Sequence, residues 1–188
     1  MPDGSQLDRG GSITLVTLPN VVTFARLCAV PLAVWLVMEH WFAEAFYLFV
    51  AAGLSDAVDG WLARRYGGNS VGALLDPVAD KALLVSMYVT LASVNVVPDW
   101  LAILVVFRDM VIVGGVVVLS LLGHSVMIRP LYVSKLNTVF QIVLVAASLL
   151  LFGFDLAAPI LMAVLVWTVA ATTLASGSAY VWTTVRGK

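Results

Sequence analysis

Four of the chain's eleven acidic residues, Asp56, Asp59, Asp76 and Asp80, lie between positions 56 and 80 of a sequence that is 62% hydrophobic. Asp56 and Asp59 are three residues apart and Asp76 and Asp80 four apart. Both spacings place a pair on one face of a helix. Between the pairs runs RRYGGNS, residues 64–70, whose glycines and Asn have the turn chemistry that reverses a chain. A helical hairpin is therefore expected to bring the four carboxylates together. Gathered in one site they repel one another unless cations neutralise them. Two divalent ions would balance four carboxylates. Mg²⁺ is bound by carboxylate oxygens and usually keeps phosphate oxygens of a substrate in its shell, and a pair of such ions can clamp the attacking and leaving oxygens of a phosphoryl transfer.

The residues around the acids fit the same chemistry. Gly60 follows Asp59 and Gly72 precedes Asp76 by four. A glycine inside a helix costs about 1 kcal/mol relative to alanine, a cost offset where backbone must approach a ligand or another helix. Ala63 keeps the groove beside Gly60 open, and Arg64 can grip a phosphate bidentately. Pro77 is expected within the first turn or so of its helix, where a missing N–H is tolerated. A single intramembrane Asp can be a satisfied structural residue, bound in a salt bridge or a helix–helix hydrogen bond; four in this spacing are hard to explain so. The glycines alone say less, because small residues are common where membrane helices pack. Gly114 and Gly115 are assigned to such an interface.

The elements that position these residues are helices in a membrane. Only 11% of the 188 residues are charged and the mean hydropathy is +1.04, against about 25% charged in an ordinary soluble domain. Runs long enough to cross a bilayer can be drawn at 21–38, 41–63, 71–97, 100–122, 132–154 and 157–183. Hydrocarbon leaves no water for free backbone groups, so such runs must be helical, and the short alternating strands of a barrel are absent from the sequence. The expected fold is an all-α integral membrane protein, a six-transmembrane-helix bundle.

An even number of spans places both termini on one side. Arg9, Arg64, Arg65, Arg129, Lys135, Arg186 and Lys188 fall on that side, while the opposite connections carry Glu39, His40, Glu44, Asp99 and Asp155 and no Lys or Arg. By the positive-inside rule both termini are cytoplasmic. Trp41 and Trp100 mark the exported edge and Trp182 the cytoplasmic one. Residues 1–12, MPDGSQLDRGGS, have neither the basic n-region nor the apolar core of a cleaved signal and read as a flexible polar tail, with one membrane domain over 13–188. Cys28 has no intrachain partner and is assigned to packing. His40 and His124 belong to solvated connections.

Subtracting the loop charges leaves Arg26, the four Asp residues, Lys81, Arg108 and Asp109 in or beside the apolar runs. Burying such a group at membrane depth costs at least about 2.5 kcal/mol on insertion scales, which makes each a functional candidate. Asp56 lies eight residues before Arg64, about 12 Å along a helix, just below the cytoplasmic interface. A cation transporter would also use intramembrane acids, but it tends to set them near the midplane and to show repeated halves. Neither is seen in the sequence.

Asp56-x-x-Asp59-Gly60-x-x-Ala63-Arg64 followed by Gly72-x-x-x-Asp76-x-x-x-Asp80 resembles the signature of the CDP-alcohol phosphotransferase family. These integral membrane enzymes move a phosphoryl-linked group from a CDP-alcohol to an acceptor hydroxyl and release CMP. Eight defined positions carry the likeness, and only the gap from Arg64 to Gly72 is variable. The resemblance implies that Asp56, Asp59 and Asp76 are metal ligands, that Asp80 is a metal-associated general base, and that Gly60, Ala63 and Arg64 line the CDP site. It also implies two ions, Mg²⁺ or Mn²⁺.

Further segments narrow the branch. LPNVVTFARL at 18–27, with Asn20, Thr23 and Arg26, resembles the opening segment of members making phosphatidylglycerophosphate and cardiolipin. FRDMVIV at 107–113, SKLNTVFQIVLVAASLL at 134–150 and ATTLASGSAY at 171–180 are similar to the CMP-forming cardiolipin synthases of mitochondrial type. The likeness implies phosphatidyl transfer from CDP-diacylglycerol to phosphatidylglycerol, in a bacterial or mitochondrial inner membrane, by a homodimer with membrane lipids and no nucleic acid as partners. The alternative within the family is a phosphatidylglycerophosphate synthase acting on glycerol-3-phosphate. The phospholipase D route to cardiolipin needs His-x-Lys, whereas His40 is followed by Trp41-Phe42 and His124 by Ser125-Val126. Arg26, Arg108 and Lys135 admit two readings, as partners of acids or as a basic pocket for an acceptor or lipid phosphate. Asn137, Thr138 and Gln141 either line that pocket or join helices through hydrogen bonds.

Overall fold

The computed structural model describes the backbone over residues 18–66, 70–121 and 132–185, and side chains over 27–55, 81–112, 114 and 133–179. The tail 1–12 and the turn residues 67–69 lie outside the described residues. Six helices follow one another: α1 Leu18–Met38, α2 Phe42–Tyr66, α3 Ser70–Ser93, α4 Asp99–Leu121, α5 Tyr132–Gly153 and α6 Pro159–Val185. No strand occurs among the described residues.

The ends of α1, α3 and α5 share one device. His40, Asn95 and Asp155 take left-handed backbone angles, with φ of 63°, 59° and 51°. Past each of them an N–H returns to a carbonyl five residues back: Trp41 to Leu36 at 2.8 Å, Val96 to Leu91 at 2.9 Å and Leu156 to Leu151 at 2.8 Å. This closure satisfies carbonyls that a helix end leaves orphaned. It also explains why α3 stops at Ser93 although its apolar run continues to 97. The left-handed residue is usually glycine, and none of these three is. Asp155→Gly is expected to relieve about 1 kcal/mol of backbone strain and to raise the midpoint of thermal unfolding in detergent by a few degrees; a lowered midpoint would show that the Asp155 side chain contributes more than its backbone costs.

Helices pack in a closed ring, α1 against α2, α2 against α5, α5 against α6, α6 against α4, α4 against α3 and α3 back to α1, with α3 also touching α5 across the middle. Among the described residues, α2 and α3 are separated by α1 and α5. The core is apolar and centred on α3, where Met87, Tyr88 and Leu91 are fully enclosed and meet Leu144 and Val145 of α5 and Val37 of α1. Outward faces are apolar too: Ile160 is 80% exposed and Ile103, Met110, Trp167 and Phe107 are nearly as open. So continuous an apolar surface suits hydrocarbon rather than water. Among the described residues two helical stretches, Val133–Gly153 and Pro159–Ala179, are long and apolar enough to span a bilayer.

The α1–α2, α3–α4 and α5–α6 connections gather at one end. Phe42 packs on Phe152 with ring centroids 5.7 Å apart and Tyr47 on Phe154 at 6.3 Å, while Val96 shares a pocket with Leu151, Asp155 and Met162. Gly153 lies so close to the start of α2 that an added Cβ would fall 2.6 Å from the Ala43 nitrogen. Gly114, expected between helices, is instead exposed, and among the described residues nothing lies within 4 Å of such a Cβ; Gly115, expected there too, is outside the residues whose side chains are described. Cys28, expected to pack inside, is likewise exposed on α1; the phase of α1 turns it away from the core that Ala33 and Val37 enter.

Candidate active site

Asp56 and Asp59 are on α2 and Asp76 and Asp80 on α3, and both stretches are helical, as their spacing requires. Gly60, Ala63 and Arg64 follow on α2, and Arg26 is on α1. The side chains of these eight residues lie outside the described set. Pro77, expected within the first turn or so, is instead the eighth residue of α3, because the helix already starts at Ser70; at that depth its missing N–H removes an i→i−4 hydrogen bond.

Immediately after Asp80 begins a polar cluster built by four helices. Lys81 of α3 donates from Nζ to Asp109 Oδ2 on α4 at 2.7 Å. Arg108 donates from Nη1 to the other oxygen, Asp109 Oδ1, also at 2.7 Å. The Nη2 arm of Arg108 reaches Ser134 Oγ on α5 at 2.7 Å and Ser176 Oγ on α6. Gly177 is not needed for the approach, since a Cβ there would sit 3.8 Å from Arg108 Cγ, an ordinary van der Waals contact. Arg108 and Asp109 are 5% and 6% exposed. Among the described residues two cations share one carboxylate, so these three side chains together carry one positive charge in excess.

Deeper along α5 the seam continues. Asn137 Oδ1 accepts from Thr172 and Thr173 of α6, both at 2.9 Å. One turn on, Tyr88 donates its hydroxyl to the Gln141 carbonyl at 3.3 Å. Arg108 Nε, Asn137 Nδ2 and both amide atoms of Gln141 are buried with no hydrogen-bond partner among the described residues. Buried polar atoms of this kind call for an explanation; among the described residues they leave three nitrogen donors available to acceptor oxygens and one carbonyl oxygen available to a donor. The pairing reading of Arg108 is thus observed, yet the guanidinium has five N–H groups and its bonds to Asp109, Ser134 and Ser176 use three.

Lys135 does not join this cluster. It is exposed on α5, and the residue that meets Arg108 is its neighbour Ser134. One step along a helix rotates a side chain by about 100°, which separates the two. Thr138 bonds back to its own helix at Ser134 O, 3.2 Å. Ser134, Ser176, Thr172 and Thr173 were not singled out by sequence, because a lone hydroxyl residue carries no charge that demands a partner.

Fold and surface together define a class, an all-helical protein with an apolar exterior and an ionic network crossing four of its helices. The chain belongs to the CDP-alcohol phosphatidyltransferase family, whose sequence model matches residues 16–175. It is 38% identical, over 91% of its length, to the rice protein named "CDP-diacylglycerol--glycerol-3-phosphate 3-phosphatidyltransferase 1, chloroplastic" (Oryza sativa subsp. japonica), of which 58% is covered. Identity to the human cardiolipin synthase (CMP-forming) is 32% over 87% of the chain and 60% of that protein. A probable phosphatidylglycerophosphate synthase of Mycobacterium tuberculosis is 32% identical over 98% of the chain and 88% of its own length. The chain spans about three-fifths of the rice and human relatives.

Proposed function

We propose that this chain is a six-span membrane enzyme that transfers a phosphatidyl group from CDP-diacylglycerol to phosphatidylglycerol, giving cardiolipin and CMP. One observation carries the reading: the eight motif positions stand on two consecutive helices within the segment matched by the family. The apolar exterior supports membrane insertion, and the basic residues support cytoplasmic termini with the site at the cytoplasmic or matrix face. The resemblance also suggests a homodimer.

Asp56, Asp59, Asp76 and Asp80 would supply four carboxylates, a set of hard oxygen donors whose chemistry fits Mg²⁺ or Mn²⁺. Two ions bound there would neutralise the pyrophosphate and the charge that develops as CMP departs. The chain's own residues do the rest. Gly60 and Ala63 leave room for the nucleotide against α2, and Arg64 holds a phosphate oxygen through paired N–H groups. Asp80 takes the proton from the primary hydroxyl of the acceptor's glycerol. That oxygen attacks the phosphorus bearing the diacylglycerol, the P–O bond to CMP breaks, and the electron pair leaves on the CMP phosphate. The excess positive charge at Arg108 and Lys81, with the free donors of Arg108 and Asn137, suits a phosphate-bearing acceptor. Arg26 and exposed Lys135 would meet lipid phosphates at the boundary.

Glycerol-3-phosphate is the second acceptor reading, favoured by the names of the rice and Mycobacterium relatives. The likeness of SKLNTVFQIVLVAASLL and ATTLASGSAY to cardiolipin synthases favours phosphatidylglycerol. Purified protein supplied with CDP-diacylglycerol, Mg²⁺ or Mn²⁺, and each acceptor in turn is expected to release CMP and form cardiolipin with phosphatidylglycerol alone. A lipid product from glycerol-3-phosphate only would overturn the choice of acceptor and leave the reaction class intact.

A further inference from the structure

Asp109 belongs to none of the eight motif positions, yet among the described residues it is the one carboxylate that binds both Lys81 and Arg108. Its Oδ2 holds Lys81, the residue after Asp80, and its Oδ1 holds Arg108, which is bonded in turn to Ser134 on α5 and Ser176 on α6. A buried ion pair contributes little stability over well-packed apolar residues. Three charges retained at this place are therefore better explained by what they position. We propose that Asp109 is a positioning residue that fixes the rotation and axial height of α3 through Lys81, and so sets the aim of Asp76 and Asp80 at the cations they hold. The inference rests on the metal-dependent reading of the four-Asp motif.

The physical chain is short. α3 meets α4 and α5 through apolar side chains such as Leu84, Met87 and Leu91, which resist separation but tolerate small slides because dispersion contacts are individually weak and non-directional. A charge-assisted hydrogen bond is directional. The Lys81–Asp109 bond adds such a constraint one residue past Asp80, and Arg108 ties its acceptor to the two helices on the far side. Asp109 is held rigidly because both its oxygens are engaged. Partners that orient metal ligands without touching the metal commonly change metal affinity or activity by about 10- to 100-fold when removed.

The test measures Mn²⁺ binding by the intact purified protein in detergent, read from the electron paramagnetic resonance signal of free Mn²⁺, beside turnover. Lys81→Met leaves the Arg108–Asp109 pair in place and, with a side chain 35% exposed, is the variant that keeps the fold. Lys81→Met and Asp109→Asn are each expected to raise the Mn²⁺ concentration for half-saturation by about tenfold, with a matching fall in kcat and little change in KM for CDP-diacylglycerol. The double variant should be no worse than Asp109→Asn, since both remove one link. Lys81→Arg, which keeps the ion pair, should restore affinity. If Lys81→Met binds Mn²⁺ as the parent does, the proposal is overturned, whatever happens to the stability of Asp109→Asn. A parent protein that binds Mn²⁺ but turns over no CDP-lipid would reject the proposed reaction and leave this positioning role standing; a parent that binds no Mn²⁺ rejects both.

Discussion

Asp80→Asn is expected to cut CMP release by about a thousandfold or more, within the range that loss of a positioned general base produces. Asn has nearly the shape of Asp, so packing around α3 is preserved, but it has no basic oxygen to accept the acceptor's proton and no charge to offer a divalent ion. The comparison with Asp80→Glu sharpens the outcome. Glutamate retains the base and displaces it by one methylene, and a misplacement of about 1 Å can cost about 100-fold. The variants should therefore rank parent, Glu, Asn. Release of CMP from CDP-diacylglycerol, followed alongside helicity and elution as a single species in detergent, checks this. An Asp80→Asn protein within tenfold of the parent would remove Asp80 from the proton-accepting role. Such a result would revive the reading of the acids as a cation path.

Gly153→Val is expected to be the most damaging small substitution outside the motif. Even a methyl group at Gly153 would lie 2.6 Å from Ala43 N, 2.8 Å from Ala43 Cα and 2.9 Å from the Phe42 carbonyl carbon. All three are backbone atoms of the first turn of α2, so no rotamer change relieves the clash. Overpacking of this kind typically costs about 1–3 kcal/mol. A β-branched side chain should reach the top of that range, a loss of several degrees in unfolding midpoint at about 2–4 °C per kcal/mol. Because α2 carries Asp56 and Asp59 further along, displacement of its start should lower activity as well. Gly114→Ala is the control: its Cβ meets nothing, and replacing an exposed helical glycine is worth up to about 1 kcal/mol of stabilisation. Thermal unfolding of both variants in one detergent decides the matter. Equal midpoints would mean that α2 and α5 are free to separate at this point.

The opposite fates of the two glycines show where reading the chain alone stops. Both occur in apolar helical runs, and Gly114 was the one assigned to an interface. Composition identifies a glycine as small, but the partner that needs the space is another helix, remote in sequence. The helix ends show the same limit: His40, Asn95 and Asp155 close three helices in left-handed geometry, and although all three residue types are enriched there, they are common elsewhere too, so the type alone does not place the end. Helix number and approximate extent were readable because apolar runs of bilayer length need no partner to be recognised. Arg108 was readable as a charge in the wrong place, and its neighbour Asp109 as a candidate for pairing. Ser134, 26 residues away, and Ser176, 68 away, were not.

The eight motif positions were enough to suggest the reaction class by resemblance, and the three- and four-residue spacings of the four acids paired them on helix faces, because positions one turn apart share a face whatever surrounds the helix. That is local geometry, written in the chain. Which faces meet is a property of packing between elements distant in sequence, and only the tertiary structure decided it. It turned Ser134 rather than Lys135 toward Arg108 and tied Lys81 through Asp109 to three other helices. It set Gly153, not Gly114, against a neighbour.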